Sequence, residues 1–196
     1  MTHVQHLSSC PVAMVVALAQ ELDPALLPGV PLVYSGVGKV NAAIAVADLI
    51  HQHRPRLVLN FGSVGRVRPG PQGLLEVGQV VQRDMVAEPL APRGTTPFHK
   101  GPPVLRSGLP GLVCASGDSF VTAPDPWFAA QGVDVVDMEL FAIAAVCERK
   151  GVPWRALKFI SDDANGESGS DWAANVRTGA ELFMAWWQRN RATLVG

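Results

Sequence analysis

The stretch from Val133 to Cys147, VDVVDMELFAIAAVC, constrains the fold of this chain more than any other segment. A run of β-formers passes directly into apolar positions at helical spacing, Leu140, Ile143, Ala144 and Cys147. Lys150 and Gly151 end that helix, with Pro153 just beyond. A second apolar run, Trp154 to Ile160, follows and reads as another strand. Both strands end in acids: Asp137 and Glu139 after the first, Asp162 and Asp163 after the second. Ligands of open α/β sheets bind at the carboxyl ends of the strands. Two acidic strand ends one helix apart can therefore face one pocket.

The rest of the chain repeats this alternation. Val12 to Leu18 and Val30 to Ser35 read as strands, with a short helix near Gln20 limited by Pro24, Pro28 and Pro31. Gly36-Val37-Gly38-Lys39 turns into a helix to about His53, with Val40, Ala43, Ile44, Ala47 and Ile50 along one face. Leu57 to Phe61 is a buried strand ending in a glycine turn, Gly62-Ser63-Val64-Gly65. Val77 to Arg83 and Leu112 to Ala115 are further strands, separated by a proline- and glycine-rich surface loop from Pro89 to Pro110. Trp172 to Arg191 is a C-terminal helix with Leu182, Phe183 and Trp186 on its apolar positions. Strands alternating with helices predict an α/β layered fold in a single domain, residues 1–196.

Several functional classes are disfavoured. Of the 196 residues 48% are hydrophobic and only 17% charged, which predicts a buried core rather than disorder. The net charge of −1 offers no electrostatic footprint for nucleic acid. The apolar runs are far short of a bilayer span, and Met1 to Ser9 lacks the pattern of a secretory leader. Cys10, Cys114 and Cys147 are an odd number without metal-type spacing, so free thiols in a reducing cytoplasm are expected. No nucleophile elbow is present. The Gly36–Lys39 turn is neither a P-loop nor a dinucleotide fingerprint. His51 and His53, two apart on a helix, do not share a face for a metal.

The polar clusters Gln20-Glu21, Ser63-Val64-Gly65, Ser116-Gly117-Asp118, Asp137-Met138-Glu139 and Ser161-Asp162 all sit at strand ends. Carboxylates on separate strand ends suit a reaction that needs a base on one side of a bond and an acid on the other. Five segments carry a resemblance in the same order: Ser35 to Ala43, Asn60 to Gly65, Ser116 to Phe120, Val136 to Glu139 with its helix, and Phe159 to Asp162. In these the chain resembles the nucleoside phosphorylase superfamily, and within it the 5′-methylthioadenosine/S-adenosylhomocysteine nucleosidases, from about Val12 to about Leu182.

The resemblance implies a three-layer α/β/α sandwich around a twisted, mixed, mostly parallel sheet. It implies a homodimer acting on a small nucleoside, with neither membrane nor nucleic acid as partner and with no cofactor or metal. It also implies roles for matching positions. Glu21 activates the hydrolytic water, and Asp162 protonates the purine at N7 and reads its amino group. Ser161 orients Asp162, Met138 and Glu139 lie under the ribose, Phe120 stacks on the base beside a backbone contact at Val121, and Ser63, Val64 and Gly65 line the floor. The chemistry suits these residue types, because adenine leaves poorly as an anion and a carboxyl group that still holds its proton can supply one; burial favours that state.

Other readings remain beside this one. A phosphorylase of the same fold would use phosphate in place of water, although Ala19-Gln20-Glu21 is no phosphate cradle and a carboxylate repels phosphate. A nucleosidase for another purine compound, such as futalosine, is a second; aspartate at 162 favours a 6-amino base over a 6-oxo base. A non-catalytic nucleoside-binding module is a third, motivated by the shortened segments 22–33 and 85–111. On residue type alone, Glu21 and Glu139 are ordinary first-turn helix acids. Asp137 and Asp163 are turn or surface carboxylates, Phe120 divides evenly between core packing and stacking, and Lys39 and Lys158 are solvated cations.

Overall fold

The computed structural model describes residues 10–165 and 168–195. Residues 1–9, read above for a leader, lie outside them. Eight strands form one sheet: β1 (Val12–Val16), β2 (Leu32–Tyr34), β3 (Leu57–Arg66), β4 (Leu74–Gln82), β5 (Val104–Arg106), β6 (Leu112–Ser116), β7 (Val135–Asp137) and β8 (Trp154–Asp162). Four helices accompany them: α1 (Lys39–His53), α2 (Pro126–Ala130), α3 (Leu140–Lys150) and α4 (Ser168–Val195).

The sheet is mixed and mostly parallel. β1 runs parallel to β2 and β3, β3 to β8, and β6 to both β4 and β7. The pairs β3–β7, β4–β5 and β4–β8 are antiparallel. Because β8 pairs with both β3 and β4, the pairings β3–β7–β6–β4–β8–β3 run in a closed circuit, with β1 and β2 extending it on one side. The register shifts between Val64 and Gly65, where β3 leaves its regular pairing with β8; Gly65 then lies opposite both Asp162 and Val136. Bulges of this kind re-aim side chains at the rims of sheets.

Both faces of the sheet are buried, which is why β1 is apolar at all five positions. Ala13 and Val15 pack with α1 and α3, through Ala42, Val46, Ile143 and Cys147. Val12, Met14 and Val16 pack on the opposite face with Phe183 and Trp187 of α4. Helices on both sides of a twisted sheet make three layers.

Local chemistry sets the helix ends. Arg54, in the left-handed region at φ 45°, follows α1, and Gly151 at φ 67° follows α3. The expected helix near Gln20 is instead a turn followed by a 3-10 turn at Pro24–Leu26, capped by Asp23. The expected turn at Gly62–Gly65 is the second half of β3, since ladder bonds to β8 and β7 satisfy its backbone. The long loop after β4 contains β5, which pairs with β4, and the sequence reading missed α2, with its Asp125 cap and Pro126. No described helix is long and apolar enough to cross a membrane.

Candidate active site

The carboxyl ends of β1, β3, β6, β7 and β8 converge on a cavity of about 240 Å³, a size suited to a small molecule. All ten residues singled out from the sequence line it: Glu21, Ser63, Val64, Gly65, Phe120, Val121, Met138, Glu139, Ser161 and Asp162.

Glu21 is buried just beyond β1. Its Oε1 accepts from the Ser63 N–H at 2.9 Å and the Ser63 hydroxyl at 2.7 Å, and its Oε2 from the Leu18 N–H at 3.1 Å. Three donors from two strand ends thus fix the carboxylate, with Gly62 beneath it: a Cβ there would stand 3.6 Å from Glu21 Oε1 and 3.4 Å from Lys158 Nζ.

Lys158 and Asp137 form the buried ionic base of the site. Lys158 Nζ donates to Asp137 Oδ2 at 2.8 Å, and both side chains are almost inaccessible to solvent. Asp137 also accepts from the Ser116 hydroxyl and, at 2.9 Å, from the Leu140 N–H, so it caps α3. Burial alone would raise the Asp137 carboxyl, but Lys158 and these donors hold it below its ordinary value. Burial alone would lower the Lys158 ammonium, and Asp137 holds it up. The expectations of a solvated Lys158 and a surface Asp137 are thus corrected. A sign of burial was present, a lysine between apolar neighbours in the middle of β8 and an aspartate ending the apolar β7, each needing a partner that the sequence does not name. Lys39 is likewise paired, 2.6 Å from Asp84.

Glu139 accepts the Gly38 N–H at 2.9 Å, and Asp118 accepts the Lys39 N–H at 2.7 Å. The amino end of α1 thus receives two carboxylates from other strand ends, in keeping with its dipole. Burial, and then Asp137, push the Glu139 carboxyl up to about 7, against the opposing pull of Lys158 and the Gly38 N–H. This group changes charge near neutrality.

Asp162 ends β8. Its Oδ1 accepts the Ala164 N–H at 2.9 Å, and its Oδ2 lies 2.8 Å from the Ser161 hydroxyl, which is also 3.3 Å from the Val64 carbonyl. A Cβ on Gly65 would stand 2.8 Å from Asp162 Oδ1, so the bulged glycine makes room for the acid. Asp163 pairs with Arg66 outside the cavity. Phe120 is 61% exposed at the cavity mouth, which excludes a core role for it. The sequence reading also missed Arg83 and Asn60 in the cavity wall. Among the described residues no cluster of His, Cys, Asp and Glu could hold a metal.

A family model described as "Phosphorylase superfamily" matches residues 28–86 and 101–195. The 5′-methylthioadenosine/S-adenosylhomocysteine nucleosidase of Actinobacillus succinogenes is 33% identical over 167 residues, covering 71% of this chain and 70% of that protein. The protein of the same name from Geobacillus thermodenitrificans is 30% identical over 196 residues, covering 85% and 81%. Among solved structures, a Helicobacter pylori mutant of that nucleosidase with 5′-methylthioadenosine in its active site superposes with a TM-score of 0.80 at 22% identity, over 93% of this chain and all of that one. The futalosine hydrolase of the same organism gives 0.77 at 23% identity, over 89% and 96%. The two structural likenesses speak to the fold; with the family match and the identity to the two nucleosidases over most of their length, they identify this chain as a member of the phosphorylase superfamily.

Proposed function

We propose that the chain is an enzyme that hydrolyses the N-glycosidic bond of an adenine nucleoside, 5′-methylthioadenosine or S-adenosylhomocysteine, releasing adenine and the ribose derivative. The observation that carries this reading is the convergence of Glu21, Glu139 and Asp162 on one cavity, in a chain whose relatives at 30–33% identity bear the nucleosidase name.

The geometry suits a division of labour. Asp162 as the acid protonates the base at N7, and Ser161 supports both of its states. The single Ser161 hydroxyl proton goes to Asp162 Oδ2 when that oxygen is ionised; when the oxygen carries the proton, it can donate to Ser161, which turns to the Val64 carbonyl. As the C–N bond lengthens, positive charge grows on the sugar. Glu139 accepts from the sugar hydroxyls and supplies negative charge nearby. Glu21 takes the proton of the attacking water, its carboxylate already aimed by Leu18 and Ser63. Met138 carries the ribose, and Phe120 and Val121 receive the base at the mouth.

Water rather than phosphate is the favoured nucleophile. Lys158, which reaches Gly62 beside Glu21, is already neutralised by Asp137, so a phosphate dianion at that end of the cavity would meet the Glu21 carboxylate without a free cation from Lys158. Exposed Val37, Val40 and Ile44 beside the rim support a homodimer, and three free cysteines fit a reducing cytoplasm.

The test is release of the free base, followed by chromatography with and without phosphate: adenine from methylthioadenosine and S-adenosylhomocysteine, hypoxanthine from inosine and futalosine. Phosphate-independent adenine release is expected, and Glu21→Gln should lower it ~10²–10⁴-fold while nucleoside binding persists. Turnover only with phosphate, or full activity of the glutamine variant, overturns the reading.

A further inference from the structure

Arg83, just beyond β4, is 5% exposed and lines the cavity. Its side chain crosses over Gly117, where a Cβ would stand 2.9 Å from both its Cγ and Cζ. The terminal nitrogens donate to the Gly117 carbonyl at 2.9 Å, to the Ser119 hydroxyl at 3.1 Å and to the Ser119 carbonyl. All three acceptors are neutral. Nε is buried without an acceptor. Among the described residues none of the ion pairs includes Arg83. Its neighbour Asp84 is engaged elsewhere, one oxygen on Lys39 Nζ at 2.6 Å and the other on the Asp118 N–H at 2.8 Å.

A buried cation without a counter-ion is costly, and arginine does not escape by losing its proton. Lys158 meets the same cost with Asp137; Asp84 and Asp137 are within electrostatic reach of Arg83, but each spends its hydrogen bonds elsewhere and neither bonds to it. The cavity is therefore asymmetric, with acids at the ends of β1, β7 and β8 and, beyond β4, one cation to which no carboxylate is bonded.

We propose that Arg83 is a specificity-determining residue that receives a carboxylate of the substrate, so that the enzyme prefers adenine nucleosides whose 5′ substituent is anionic over those whose substituent is neutral. This rests on the nucleosidase reading, which assigns the base to Asp162 and the sugar hydroxyls to Glu139 and leaves the 5′ substituent without a polar partner. A ligand carboxylate is repelled by Glu21, Glu139 and Asp162 and drawn to the one cation of the cavity wall that no carboxylate is bonded to. A guanidinium whose bonded acceptors are all neutral gains from a charge-assisted bond to such a carboxylate.

The test compares 5′-thioether adenosines ending in a carboxylate with the matching carboxamides, equal in size and differing in charge, over a short series of chain lengths. Dissociation constants are measured by calorimetry on Glu21→Gln, alone and combined with Arg83→Gln or Arg83→Lys, and adenine release is measured on the parent chain. With Arg83 present, the acid should bind roughly 10- to 100-fold more tightly than the amide at one length. Arg83→Gln should bring that ratio close to one, and Arg83→Lys should keep part of it. A ratio near one with Arg83 present overturns the proposal, as does equal loss of both ligands in Arg83→Gln, which is the signature of a mere tether for the Phe120 loop. The measurement with Arg83 present decides the matter even if Arg83→Gln does not fold. Repeating it in phosphate buffer separates sources of the anion: a ratio that survives assigns the site to the nucleoside's carboxylate, and one that vanishes assigns it to a free oxyanion and overturns the proposal. Acid-selective binding without adenine release would sink the hydrolase reading and leave the role of Arg83 standing; adenine release with a ratio near one would do the reverse.

Discussion

Replacing Glu139 with glutamine separates what this residue costs the fold from what it does for a ligand. Its carboxyl rises from an ordinary 4.5 to about 7 in the folded chain, chiefly through burial and then through Asp137. Below pH 4.5 the group is protonated in both the folded and unfolded states and contributes no difference. Between 4.5 and about 7 the unfolded chain releases the proton and the folded chain retains it, so stability falls as pH rises. Above about 7 both states are ionised and the full penalty remains. At ~1.4 kcal/mol for each pH unit of that window, the penalty reaches ~3 kcal/mol. Glutamine keeps an oxygen to accept the Gly38 N–H and removes the charge. Glu139→Gln should therefore be more stable than the parent by ~3 kcal/mol at mildly alkaline pH, a rise in Tm of ~6–12 °C for a chain of this size. The difference should shrink steadily toward pH ~5. Thermal and urea unfolding followed by circular dichroism across this range provide the assay, with adenine release measured in parallel and expected to fall. A stability difference that does not change with pH, or a variant less stable than the parent at alkaline pH, would refute the argument that Glu139 is held in a desolvated, like-charged setting.

Two further substitutions probe the ground beneath the acids. Lys158→Met leaves Asp137 buried and unpaired, so it should lose ~3–5 kcal/mol in urea unfolding; a loss below ~1 kcal/mol would mean that Ser116 and the Leu140 N–H suffice for Asp137. Gly65→Ala puts a Cβ 2.8 Å from Asp162 Oδ1 and 3.0 Å from the Ala164 Cβ. Displacing the acid by this route should lower kcat ~100-fold while changing the unfolding midpoint little; a change confined to KM would contradict the assignment of Asp162 as the proton donor.

The site was legible where function and local structure leave the same trace. Asp137, Met138 and Glu139 lie between an apolar strand and an apolar helix, and Ser161 and Asp162 end an apolar strand, so their places at one rim follow from period and punctuation. The pairings of Lys158 with Asp137 and of Arg155 with Glu76 were not legible, because they join residues 21 and 79 positions apart and depend on which strands become neighbours. The reading of Gly62 to Gly65 as a turn failed for a related reason. Glycine marks either a turn or a close approach, and here the close approach of Asp162 and Ala164 to β3 is what excludes a side chain at 65.

By itself the sequence determined the alternation of strands and helices, the faces they bury and the chemical types at the strand ends, because periodicity, prolines, glycines and caps act over a few residues. Tertiary structure alone decided which of those ends meet. The closed circuit through β3, β7, β6, β4 and β8 places Lys158 beside Asp137, buries Glu139 so that its proton affinity rises, and leaves Arg83 in the cavity wall with no carboxylate bonded to it. Charge interactions and desolvation depend on distance in space and on access to water, and neither is fixed until the sheet has formed.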